Sequence, residues 1–288
     1  MHNDLLKKRI RDCIQDLSQP LWFPNLTKQL SEAGWKSLKT EFGLEPSNYS
    51  TTRILANQID ASISTLPYKS LPFSIELLPK SLEDKYSDSQ FRFYNDKELS
   101  TLPILDCLAE AIDLIKQVPT LWGSIFELVN SLHLLKPNDD AFDVSFSEPR
   151  LTFSIFVSVP KSRLKTDYLR VAEEIVHEAM HLQLSLLENL VPLTLKNEVK
   201  VYSPWKNEHR NSTGILHGLY VFRVIDSFYA DLNSQEIQSS ADFAFTRKRR
   251  IEILDQFKKI RGFAKSSELT DCGSQFVNRM LRQEILDH

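Results

Sequence analysis

One short stretch carries residue types at a spacing that can do metal chemistry: His177-Glu178-Ala179-Met180-His181, an HExxH motif. On a helix, histidines at i and i+4 lie about 40° apart around the axis, so both rings can reach one metal ion. Glu178 sits one step round, within reach of a metal-bound water; in a zinc peptidase it would be the general base. Two histidines hold a metal weakly, so a third ligand is needed. The HExxHxxGxxH template does not supply it, because Leu184 and Leu187 stand where its glycine and third histidine belong. His217 is the favoured third ligand. It lies between Gly214 and Gly218, which mark close backbone approach, and leads into the apolar run from Leu219 to Ile225, which reads as a buried helix. His209, in the polar stretch Lys206–Asn211, and the carboxylates Glu188 and Glu198 remain open as alternatives. His133, among Leu132, Leu134 and Leu135, reads as a core histidine.

The elements that must position these residues are legible in the periodicity. Tyr168, Ala172, Ile175, Ala179, Leu182, Leu186 and Leu190 step by three and four, the mark of an amphipathic helix. His177, His181 and Ser185 fall on another face, with Glu174 one turn before His177. Upstream, the alternating and continuous apolar residues of 141–159 predict strands closed by Pro160. A strand leading into an HExxH helix is the layout of zinc peptidases, whose strand edge can hold an extended peptide. Helical spacing predicts helices at 3–18, 25–42, 51–65, 102–117, 120–135 and 269–286. Residues 66–80 read as extended, and 84–100 as polar loop or short strand. The expected fold is mostly helical, α+β: a helical N-terminal region over 1–140 and a zincin-like metal-binding region over 141–288, with a small sheet before the HExxH helix, in one compact body.

Composition narrows the function classes. The chain has 288 residues, 42% hydrophobic and 25% charged, which is ordinary globular usage. A net charge of −3 provides no bulk attraction to nucleic acid or anionic membrane. Cys13, Cys107 and Cys272 form no CxxC, which predicts reduced thiols in a cytoplasmic protein and excludes a cysteine-built zinc site. No apolar run approaches the length of a membrane span, and the first twenty residues do not read as a signal peptide. Phosphate-binding glycine motifs and the serine-hydrolase GxSxG are absent from the sequence. The basic run Thr246–Arg250, read as the start of a helix, could dock an acidic leader peptide; a solvated helix face is the plainer reading.

The stretch from Val201 to Phe222, with Ser203-Pro204-Trp205-Lys206, Arg210 and Gly214-Ile-Leu-His-Gly218, resembles the signature that follows HExxH in α-ketoglutarate-dependent HExxH-type peptide β-hydroxylases of ribosomally synthesised natural-product clusters. Glu76–Pro79, Asp143–Ser147, Glu174–Glu178 and Leu269-Thr270 look alike too, so the resemblance runs from about residue 70 onward. Lys206 and Asn211 depart from it, where arginine and proline are expected, and the lysine offers no guanidinium fork. The resemblance implies Fe(II) rather than Zn(II) on the histidines, with α-ketoglutarate and O₂ as co-substrates and a precursor peptide hydroxylated at a side-chain β-carbon. Three ligands on one face of an octahedral iron leave three positions open, whereas tetrahedral zinc with the same ligands keeps one, for water. Under this reading Arg210 is the candidate cation for the distal carboxylate of α-ketoglutarate; Arg223, at i+6 from His217, points elsewhere. Glu178 then has no obligatory proton-transfer role and lines the site or holds an outer hydrogen bond. Trp205 and Tyr220 could wall the pocket, although core packing suits each aromatic better.

Overall fold

The computed structural model describes residues 2–42, 51–52, 61–66, 73–87, 91–137, 145–147, 152–161, 164–195, 199–235 and 239–282. These are mostly helical, with a small mixed sheet. The chain forms two compact units, one of residues 1–33 with 183–288 and the other of residues 34–182.

The 34–182 unit is built on its sheet. Strands β1 (Ser64–Leu66), β2 (Ser74–Leu77), β4 (Ser131–Lys136), β6 (Ser154–Ser158) and β5 (Ser145–Ser147) lie side by side in that order, and β3 (Arg92–Phe93) pairs with β4. β2, β4 and β6 are parallel; β1, β3 and β5 run antiparallel to their neighbours. Helices α3 (Lys80–Ser87), α4 (Asp96–Thr101), α5 (Ile104–Lys116) and α6 (Pro119–Leu128) complete the connections. α4 opens on a capping box between Asn95 and Glu98, and α6 starts on Pro119, whose missing N–H costs nothing in a first turn. Phe156 of β6 stacks on Phe146 of β5 at 4.2 Å, and Phe153 stacks on Trp35 at 4.5 Å.

Three expectations change. The helix predicted over 120–135 ends at Leu128, and its second half is the central strand β4. Ser131 to Leu135 are buried between two parallel strands, but Leu121, Ile125, Leu128, Leu132 and Leu135 step by four and three, so a helical period runs on through the strand. The helix expected over 51–65 is strand at its end, in β1; its residues 53–60 lie outside the described residues. The stretch 84–100 holds helical turns at α3 and α4 around β3. The other expected elements appear, with shifted ends: α1 (His2–Gln15), α2 (Pro24–Phe42), α5, and the strands at β2, β5 and β6. Residues 67–72, 141–144 and 148–151 of the predicted extended segments lie outside the described residues.

The other unit joins both ends of the chain. Its helices are α8 (Ser212–Asn233), α9 (Ser240–Lys259) and α10 (Asp271–Arg282), with a hairpin of β7 (Lys200–Ser203) and β8 (Glu208–Asn211). α8 packs against α9, α10 and the hairpin, and α10 packs against α1. Buried Arg279 of α10 donates to the carbonyls of Ile14, Cys13 and Gln19 and lies over the Phe23 ring. The basic run 247–250 is mid-helix in α9 rather than at its start, because the cap is Ser239, whose hydroxyl accepts from Asp242 N.

Candidate metal centre

The HExxH residues lie on α7 (Asp167–Glu188), a single helix of 22 residues. It is buried more widely than one stripe. Besides Ala172, Ile175, Ala179, Leu182 and Leu186, the helix buries Leu169, Val171, Val176, Met180, Leu184 and Leu187. The remaining face, Glu173, His177, His181, Ser185 and Glu188, repeats at helical spacing and is partly or fully exposed. Apolar packing on most sides thus fixes the helix and leaves the histidines on its one accessible strip.

A buried clamp sets its position against the sheet. Glu174 Oε2 accepts from Ser158 N at 2.8 Å, and Oε1 accepts from Ser158 Oγ at 2.9 Å. Ser158 is the last residue of β6, so the carboxylate ties the turn before His177 to the end of a central strand. Glu174 therefore does not share the open face expected for it. The sequence signal was only a carboxylate and a serine sixteen residues apart.

One turn on, His177 Nε2 and His181 Nε2 stand 3.1 Å apart, with their rings at 70°. Two nitrogens each about 2.1 Å from one ion would be separated by about 3.0 Å at a right angle and about 3.4 Å at a tetrahedral angle. The 3.1 Å separation lies within that range, and it is also that of a hydrogen bond between the two rings. Glu178 is buried, its Oε1 3.9 Å from His177 Nε2.

In the other unit, His217 lies in the second turn of α8, and its Nε2 is 2.8 Å from Glu188 Oε2. Asn211 caps the helix by accepting from Gly214 N at 2.9 Å. The glycine after His217 has a packing cause: a Cβ on Gly218 would sit 2.7 Å from Trp205 Cε3. Trp205 also stacks on Phe222 at 5.5 Å. Tyr220 is buried and donates to the Leu21 carbonyl and to Gln183 Oε1, and burial pushes its hydroxyl pKa up. Tyr220 is a core residue, and Trp205 is a partly buried one packed on α8.

Arg210 is on β8, exposed, 3.6 Å from Glu208 Oε1, with its Nε 3.3 Å from the place a Gly214 Cβ would take. Arg223 is wholly buried, donates to Asp226 Oδ2 at 2.8 Å and covers the Phe257 ring. His209 is exposed beside Tyr202, and Glu198 lies outside the described residues. His133 is buried in β4. Its Nδ1 donates to the Glu76 carbonyl, and its Nε2 accepts from Thr52 Oγ1, each at 3.0 Å.

The candidates thus form two pairs, His177 with His181 and His217 with Glu188. Among the described residues no group of three or more His, Cys, Asp or Glu side chains is placed to hold a metal. No protein-family model matches the chain, and no curated protein matches it.

Proposed function

We propose that the chain is an Fe(II)/α-ketoglutarate-dependent oxygenase that hydroxylates a side-chain β-carbon of a ribosomally made precursor peptide. The observation that carries the metal reading is the His177–His181 pair, two Nε2 atoms at 3.1 Å on the accessible strip of a helix otherwise packed in apolar side chains. The resemblance of Ser203–Lys206, Arg210 and Gly214–Gly218 to the peptide β-hydroxylase signature supports iron and oxygenation over zinc and hydrolysis.

On this reading His177, His181 and His217 hold the metal, within a zincin-like metal-binding region at 141–288. Fe(II) bound there would supply activation of O₂ coupled to decarboxylation of the 2-oxo acid. The chain's own residues orient and exclude. Glu174 anchors the turn carrying His177, Arg210 offers a guanidinium fork to the distal carboxylate, and Glu178 lines the site beside His177. The three cysteines are free thiols, which suits a reducing cytoplasm. Among the described residues no helix is long and apolar enough to cross a membrane.

The position of Glu178, buried and 3.9 Å from His177 Nε2, favours one second reading, a zinc peptidase in which it activates water. Incubation with the precursor peptide separates the two. Oxygenation gives one succinate per peptide gaining one oxygen atom, dependent on Fe(II), α-ketoglutarate and O₂. A cleaved peptide with Zn(II), lost in Glu178→Gln, makes the chain a peptidase instead.

A further inference from the structure

Charge is unevenly spread along the chain, and α9 with the turn after it holds the excess of cations. Residues 247–265 carry eight Lys and Arg against two Asp and Glu in a chain of net charge −3, so the remainder carries −9. Not all of these cations face solvent. Arg250 turns inward, its Nε 2.8 Å from Oδ1 of buried Asp226, and Arg249 lies over the Phe222 ring. Both brace α9 against α8. Arg247 and Lys258 are exposed, and Lys258 reaches the neighbouring Asp255 at 2.7 Å. Two large apolar side chains share their face, Phe243 at 42% and Ile251 at 54% exposed. Positions 243, 247 and 251 follow one another by about one turn, and 258 falls back between 247 and 251. Apolar and cationic side chains therefore alternate along one line about 22 Å long.

We propose that the Phe243–Lys258 face of α9 docks an acidic, partly apolar peptide segment. A partner that takes Phe243 and Ile251 out of water must also bring carboxylates to Arg247 and Lys258, and such a segment does both. A lipid surface asks for a broad apolar helix face, whereas α9 has spent its own on the core with Ile253, Leu254 and Phe257. Exposed Glu252 and Asp255 lie on the outer side of the same helix, where they would repel a row of phosphates. On the oxygenase reading the segment belongs to the precursor peptide, and the partner's identity rests on that reading. The face itself does not depend on the metal.

The test measures fluorescence anisotropy of a labelled helical peptide of Glu and Leu with the full-length chain. The expected result is saturable binding that weakens at least about 10-fold as NaCl rises from about 0.05 to about 0.5 M. Arg247→Glu with Lys258→Glu, and separately Phe243→Ser with Ile251→Ser, should each weaken it at least about 10-fold. All four side chains are exposed, so circular dichroism should not change; the salt series on the intact chain decides if a variant folds poorly. No binding, or binding indifferent to the apolar pair, overturns the proposal. So does preference for phosphatidylserine vesicles or single-stranded DNA, or self-association lost in Arg247→Glu, which would make a second copy the occupant. His177→Ala should bind the peptide as the intact chain does. Docking by a chain that forms no succinate from the precursor peptide would sink the oxygenase reading and leave the face; succinate formation without docking would sink the face alone.

Discussion

At the scale of single residues, neighbours only a few positions apart carry different burdens. His177 and His181 are partly exposed, so replacing either by alanine costs little packing and removes a proposed metal ligand. We expect His177→Ala to bind Fe(II) at least about 100-fold more weakly at unchanged helix content, measured by chelator competition and circular dichroism. Equal affinity in the variant would remove the pair from the metal site. The glycines are sensitive for a steric reason. Gly218→Ala meets the Trp205 ring, whose six-membered edge can shift, and should cost about 1–3 kcal/mol in urea unfolding. Gly273→Ala places its Cβ 1.9 Å from the Leu193 carbonyl oxygen, which is backbone and cannot step aside. That variant should be the more destabilised of the two, and the reverse order would contradict the packing described for Trp205.

At the scale of elements, a clamp ties the apolar-packed helix that carries the histidines to the end of β6. Removing the Glu174 carboxylate breaks the bonds it accepts from the buried Ser158 N–H and hydroxyl, so Glu174→Ala should lose about 2–3 kcal/mol and weaken binding at the proposed metal site, which it does not touch. Stability and Fe(II) affinity both unchanged would mean the clamp does not hold the helix. Much of this layer was legible in the sequence. The 3.6-residue pattern of α7, the alternation at β5 and β6, and the apolar run of α8 each follow from a face that must be buried. What was not legible had a physical cause as well. Ser131–Leu135 looked helical because Leu132 and Leu135 continue the three- and four-residue steps of Leu121, Ile125 and Leu128. The Glu174–Ser158 clamp and the Glu188–His217 bond join residues far apart in sequence, and pairing of that kind has no period. HExxH was readable because a helix turns its spacing into geometry; Glu188 was readable only as a carboxylate available in the neighbourhood.

At the scale of the whole molecule, stability should fall in mild acid. Burial holds the His133 imidazole neutral and lowers its pKa from 6.5 to about 4, although the bond to the Glu76 carbonyl acts in the opposite direction. Below 6.5 the unfolded chain takes up this proton and the folded one does not. The contribution is therefore complete above pH 6.5 and is lost as pH falls toward 4, by up to about 3 kcal/mol at 1.36 kcal/mol per pKa unit. The His133 ring signal should stay neutral by NMR through that range, and titration near 6.5 would contradict its burial. Unit 1–33 with 183–288 has its own dependence: Arg279 ties α10 to backbone carbonyls between Cys13 and Gln19, so Arg279→Ala should destabilise by about 2–4 kcal/mol in chemical unfolding. The proposed activity requires a mononuclear iron centre that chelates a 2-oxo acid. The most direct measurement adds Fe(II) and then α-ketoglutarate to the metal-free protein under argon and records the visible spectrum. The expected result is the charge-transfer band of a 2-oxo acid chelated to iron, present in the intact chain and absent in His177→Ala. No band, with tight Zn(II) binding and a cleaved peptide, would contradict it.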